Sequence, residues 1–137
     1  MRRYIGKGAP PRELPTSEAV IAFVKMTPGA GITGLLCCSS DIFLQVLEGG
    51  RLAVNRLYHR FAVDPRHHEL MLLRYDEIDE RSFAGWAMGQ IDLARLNTAL
   101  LLKYSEAPAL DPYAVSGKVS MALFNELVAT ASVMCLP

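Results

Sequence analysis

The alternation of apolar and polar positions predicts most of the elements of this 137-residue chain. Residues 32–38 are almost continuously apolar, which is typical of an inner strand, and a three-residue polar turn separates them from a second strand at 42–48. Residues 51–63 carry apolar side chains at helical spacing, so we predict an amphipathic helix there. Two further apolar segments, 69–78 and 86–91, are predicted to be strands.

The remaining segments predict one more strand and three more helices. Tyr4 and Ile5 end a short first strand, and a loop rich in glycine and proline follows at residues 6–15. Residues 18–26 are apolar on nearly all sides, which predicts a buried helix. Asp92 and Asp111 are candidate N-caps for two C-terminal helices, the second continuing to about Thr130.

This order of elements indicates the fold class. A strand, a helix, two strands, a helix and two strands approximate a split βαβ arrangement. We therefore predict an α+β fold with a ferredoxin-like five-stranded sheet (βαββαββ) and two additional C-terminal helices.

Composition and charge restrict the classes of partner and the compartment. The formal net charge is zero, which argues against a nucleic-acid partner. No apolar run is long enough to span a bilayer, so no membrane partner is expected. The cysteines, Cys37, Cys38 and Cys135, are odd in number and include an adjacent pair, which favours a reducing, cytoplasmic location over a disulfide framework.

Gln45 is the polar residue that the strand pattern does not explain. It shares a face of its predicted strand with Phe43 and Leu47, because side chains alternate along a strand. A glutamine amide carries two donors and an acceptor, and burying them without partners is costly. A bound ligand, neighbouring main chain or a buried water molecule are the candidate partners.

Metal binding and catalysis find little support in the sequence. His67 and His68 are adjacent and would point apart in an extended segment, and no cysteine or carboxylate cluster completes a site with them or with His59. A small enzyme of this fold would need an acid–base pair, and no such pair is evident. We therefore expect no metal and no enzymatic activity.

Four segments resemble the BLUF family of small flavin-binding blue-light sensors. They read Gly-Ile-Thr-Gly-Leu-Leu at 31–36, Phe-Leu-Gln-Val-Leu-Glu-Gly at 43–49, Asp-Pro-Arg-His at 64–67 and Arg-Ser-Phe-Ala-Gly-Trp-Ala-Met at 81–88. The resemblance implies a flavin-binding domain at residues 1–93. It also implies that residues 94–137 form a helical extension packed on the same domain, as in short members of the family.

The resemblance also implies a cofactor site between the first two helices. The cofactor would be FAD, with FMN as the other possibility. The implied cofactor-binding residues are Thr27, Ile32, Gln45, Asp64, Arg66 and His67. Gln45 would bond the flavin ring, and Arg66 and His67 would lie along its polar side with Asp64 nearby. Thr27 departs from the family, which usually has an asparagine at this position.

The implied photochemistry uses Tyr4, Gln45, Trp86 and Met88. Tyr4 would donate an electron to the excited flavin, Gln45 would rearrange its hydrogen bonds, and Trp86 and Met88, near Gln45 on one strand face, would relay the change to a protein effector. We expect a homo-oligomer. The alternative is a flavin-free module for oligomerisation or protein interaction, because Thr27 lacks an amide and only three residues precede Tyr4.

Overall fold

The computed structural model describes residues 1–9, 31–38, 42–63, 68–87, 89–92, 95–108, 116–130 and 134–135. The described strands are β1 (Arg2–Ala9), β2 (Thr33–Cys38), β3 (Phe43–Gly49), β4 (His68–Glu77), β5 (Gly89–Asp92) and β6 (Met134–Cys135). The described helices are α1 (Arg51–Val63), α2 (Thr98–Tyr104) and α3 (Gly117–Ala129).

The strands form one mixed sheet in the order β4-β1-β3-β2-β5-β6. All neighbouring strands are antiparallel except β2 and β5, which are parallel. The order β4-β1-β3-β2 is that of a ferredoxin-like sheet, and β5 extends it. The predicted fold class and its five strands are confirmed, the two-residue β6 was not predicted, and the helix predicted at 18–26 lies outside the described residues.

Each face of the sheet carries its own hydrophobic cluster. The α1 face is covered by α1, and its buried residues are Tyr4, Ile32, Leu36, Phe43, Leu47, Val54, Leu57 and Phe61. The α3 face is covered by α3, and its buried residues are Ile5, Leu35, Cys37, Leu44, Val46, Phe83, Ile91, Leu123, Phe124 and Leu127. The alternation along β2 and β3 sends successive side chains to opposite clusters, as the pleat requires.

Strand β1 is longer than the sequence predicts. The prediction ended it at Ile5, because Gly6, Gly8 and the following prolines are typical of a loop. The structure continues it to Ala9, since β1 lies between β3 and β4 and pairs with both. A central strand with two neighbours gains hydrogen bonds on both edges, which outweigh the weak strand preference of glycine.

The starts of α2 and α3 also differ from the prediction. Asn97, rather than Asp92, caps α2, and its Oδ1 accepts a hydrogen bond from the backbone N–H of Ala99 at 2.9 Å. Ser116 caps α3, and its Oγ accepts from the backbone N–H of Val119 at 3.2 Å, whereas the predicted cap Asp111 lies outside the described residues. Asp92 is instead the last residue of β5. None of the described helices combines the length and the apolarity needed to cross a bilayer.

Candidate functional site

Gln45 lies in the middle of β3 on the α1 face. It is 5% exposed, and it stands between Gly6 of β1 and Leu36 of β2 in the cross-strand register. It shares this face with Phe43 and Leu47, as predicted from strand alternation. The sheet therefore presents the Gln45 carboxamide among apolar side chains beside α1.

The Tyr4 side chain lies directly next to this position. Tyr4 is 1% exposed, and its ring lies over Gly6, where an added Cβ would overlap both the phenol oxygen and the carbon that bears it. Gly6 is the residue that pairs with Gln45. Because Gly6 has no side chain, the Tyr4 phenol can lie over it, next to the position of Gln45 on the neighbouring strand.

The environment of Tyr4 keeps its phenol protonated. Burial is the main cause that raises the pKa of Tyr4 above its usual range, and the neighbouring Tyr58 raises it further. Tyr58 projects from α1, and its ring centroid lies 5.3 Å from that of Tyr4 at an interplanar angle of 56°. Such a tilted pair is a favourable aromatic contact that fixes the Tyr4 ring.

A second glutamine lies in the same cross-strand row, and the sequence analysis did not identify it. Gln90 of β5 pairs with Leu36, which in turn pairs with Gln45. Because paired residues share a face of the sheet, Gly6, Gln45, Leu36 and Gln90 form a row on the α1 face. We call this the amide row. The Gln90 Nε2 atom is buried and has no hydrogen-bond partner within the described part of the chain.

A groove of about 620 Å³ runs along α1 beside the α1-face cluster. Its described lining residues are Gly50, Arg51, Leu52, Ala53, Arg56, Leu57 and Arg60. Leu57 belongs to the same cluster as Tyr4, so the groove and the Tyr4 environment share apolar packing. The described lining contains three guanidinium groups and no carboxylate, which gives the groove a positive wall.

Glu48 organises the segment that connects β4 to β5. It is fully buried on the α3 face of β3 and accepts a hydrogen bond from Arg3 Nε at 2.9 Å. Its carboxylate also accepts the backbone N–H of Ser82 at 3.1 Å and that of Phe83 at 2.7 Å. The carboxylate therefore fixes the 81–87 turn to the end of the sheet.

Trp86 lies in this turn and not in a strand. Its carbonyl accepts the backbone N–H of Gly34 at 3.0 Å, and its own N–H donates to the Phe83 carbonyl at 3.2 Å. The prediction of a strand from residue 86 is wrong at its start, because these bonds and those of Glu48 fold the turn and β5 begins at Gly89. The partly buried Trp86 side chain packs against the cluster of the α3 face, whereas Gln45 lies on the α1 face.

The other predicted site residues divide between described and undescribed positions. Ile32 is buried in the α1-face cluster, next to β2. Five of them lie outside the described residues: Thr27, Asp64, Arg66, His67 and Met88. Among the described residues, no group of three or more His, Cys, Asp or Glu side chains could hold a metal ion.

Phenol and carboxamide groups on an apolar face suit a flat aromatic ligand with a polar edge. Aromatic ligand sites combine apolar walls with a few placed polar groups, and the Gln90 Nε2 atom, which has no partner in the described part of the chain, supplies a further donor on the same face. The donor set of the α1 face therefore fits a flavin ring.

Comparison with known proteins identifies a family and several relatives. A family model described as BLUF, sensors of blue-light using FAD, matches residues 19–89. The chain is 29% identical over 73 residues to the photoactivated adenylate cyclase subunit beta of Euglena gracilis, and equally to that of Euglena longa. The matched segment is 53% of this chain and 8% of the relative's length.

Solved structures share the fold over most of the chain. The photo-activated state of BlsA has a TM-score of 0.79 at 24% identity and covers 93% of this chain and 94% of its own. The dark state of BlrB, a BLUF protein, has a TM-score of 0.75 at 23% identity, with 95% and 96% covered. A bacterial light-regulated adenylyl cyclase has a TM-score of 0.62 at 29% identity, with 70% and 29% covered.

Proposed function

Since this chain belongs to the BLUF family of sensors of blue-light using FAD, we propose that it is itself a flavin-binding blue-light receptor. The observation that carries the proposal is the juxtaposition of Tyr4 and Gln45. The Tyr4 ring covers Gly6, Gly6 pairs with Gln45, and both functional side chains face α1. An oxidisable phenol and an amide that can exchange its donor and acceptor therefore lie on the sheet face that α1 covers, and α1 also lines a groove.

We place the flavin ring on the α1 face over Gln45 and Leu36. Gln45 would bond the polar edge of the ring, and Ile32 and Leu36 would supply apolar contact. The phosphate end would follow the groove along α1, where Arg56 and Arg60 are exposed one helical turn apart. A guanidinium pairs well with phosphate oxygens, so this placement favours FMN or FAD over riboflavin.

A bound flavin supplies blue-light absorption and an excited state that accepts an electron. Tyr4 would supply this electron, and the phenol proton would pass with it to the flavin through the adjacent Gln45 amide. Gln45 would then exchange the positions of its amide donor and acceptor, which is possible because the amide carries both kinds of group. Return of the electron and the proton to Tyr4 would leave the chain with changed hydrogen bonds and no net oxidation.

The effect of the changed Gln45 hydrogen bonds can be transmitted out of the site along β3. Gln45 faces α1, whereas its neighbours Leu44 and Val46 pack in the cluster of α3. Glu48, two residues further along, holds the 81–87 turn. We propose that these contacts transmit the state of Gln45 to the α3 face, where a protein effector or a second copy of the chain reads it. Such a partner must bind the two states with different affinity.

Absorption spectroscopy of the full chain purified in the dark tests this proposal. We expect a visible flavin band that shifts reversibly to the red under blue light. A colourless protein that does not take up added FMN or FAD would refute the proposal and support the flavin-free interaction module. A bound flavin whose spectrum does not respond to light would support binding and refute sensing.

A further inference from the structure

We propose that Gln90 donates a hydrogen bond from its side-chain amide to a carbonyl oxygen of the bound flavin ring. This assignment rests on the proposed flavin binding and adds a residue to that site. Its basis is the position of Gln90 in the amide row and the state of its Nε2 atom.

The register of three strands places Gln90 on the flavin side of the sheet. Leu36 pairs with Gln45 on one side and with Gln90 on the other. Cys37 and Ile91, the next pair along β2 and β5, both belong to the α3-face cluster. Alternation therefore directs Leu36 and Gln90 to the α1 face, the face of Gln45 and Tyr4.

The spacing of the row brings both amides within reach of one end of a flavin ring. Adjacent strands lie about 4.8 Å apart, so the backbones of Gln45 and Gln90 are separated by roughly 10 Å. Both carbonyl oxygens of a flavin lie on its terminal pyrimidine ring. With that ring over Leu36, which lies between the two residues, the Gln45 and Gln90 side chains can extend toward it from either side.

The unpartnered donor is what points to a ligand. The Gln90 Nε2 atom is shielded from solvent, and the described part of the chain offers it no acceptor. A buried donor without an acceptor is destabilising, and native structures retain few of them. A flavin carbonyl on the α1 face would accept a hydrogen bond from the Gln90 amide and so remove the cost of the buried donor.

The test compares the full chain with Gln90→Leu, which removes the amide and keeps the side-chain size. Asn125→Leu, an amide-to-leucine change at an exposed position of α3, is the matched control. Riboflavin affinity and the carbonyl stretching bands of bound, carbon-13-labelled riboflavin are measured for each protein. Gln90→Met is the second variant if Gln90→Leu does not fold.

We expect Gln90→Leu to weaken riboflavin binding about tenfold, because one hydrogen bond from a desolvated donor is lost. One flavin carbonyl band should move to higher frequency in Gln90→Leu. Without flavin, Gln90→Leu should melt at a higher temperature than flavin-free wild type, because the buried donor without an acceptor is gone. The Asn125→Leu control should match wild type in all three.

Two results overturn the assignment. Unchanged affinity and carbonyl bands in Gln90→Leu would show that the amide does not contact the ring and that water satisfies it instead. A lower melting temperature of the flavin-free variant with unchanged bands would show a purely structural role. Failure of the proposed function is distinguishable, because wild type itself would then bind none of riboflavin, FMN and FAD, and the assignment would fall with it.

Discussion

Gly6→Ala tests the packing that brings Tyr4 to Gln45. The new Cβ would overlap the Tyr4 phenol, so the ring must leave its buried position against Tyr58. Overpacking of this kind destabilises a domain by about 2 kcal/mol. With an unfolding entropy of about 2.1 cal/mol/K per residue, a 137-residue chain then melts roughly 7 °C lower. Displacement of the phenol should also suppress the light-induced spectral shift.

Calorimetry and light-minus-dark spectroscopy measure the two effects. Gly85→Ala is the matched control, because an added Cβ there meets no atom within 4 Å. In a Tyr4→Leu background, the Gly6→Ala change should have little further effect on stability, since the overlapping atoms are gone. A loss of stability that persists in that background, or a melting temperature equal to that of Gly85→Ala, would refute the reasoning.

Three other variants test separate parts of the structure. Tyr4→Phe should keep flavin binding and abolish the photocycle. The raised pKa of Tyr4 makes wild type lose stability as pH rises above about 10. The melting temperature of Tyr4→Phe should therefore fall less than that of wild type between about pH 9 and pH 11. Glu48→Gln should destabilise the chain by about 3 kcal/mol in denaturant titrations, because the Arg3 guanidinium loses its anionic partner and one of the two acceptor oxygens is lost; a loss under about 1 kcal/mol would contradict this role. Arg56→Gln with Arg60→Gln should reduce FMN affinity roughly tenfold at low salt and leave riboflavin affinity unchanged, whereas Arg95→Gln should change neither.

The sequence predicts the fold well where the apolar pattern is local. Helix α1 has the predicted bounds, and β2, β3 and β4 agree within one residue, because each carries its own period. The first strand was wrong at its end, since the pairing of Gly6 with β3 and β4 depends on segments distant in the chain. The local pattern predicts a strand at Trp86, because it contains no sign of the hydrogen bonds that fold the turn. Those bonds involve Glu48 and Gly34, which are far away in sequence.

The candidate site was only partly predictable for the same reason. Gln45 could be identified as a polar residue inside an apolar strand, and Tyr4 came from the family resemblance. Alternation over the strand predicted at 86–91 puts Gln90 on the same face as Trp86, but β5 begins only at Gly89 and Trp86 packs on the α3 face. The position of Gln90 became evident only through the parallel pairing of β5 with β2, which no local pattern encodes.

The most direct test of the central claim is the light-minus-dark absorption difference of wild type and Gln45→Leu, both loaded with the same flavin. We expect a reversible red shift of the flavin band in wild type and none in Gln45→Leu, although both proteins retain the cofactor. A red shift of equal size in Gln45→Leu would contradict the claim that this amide is the switch.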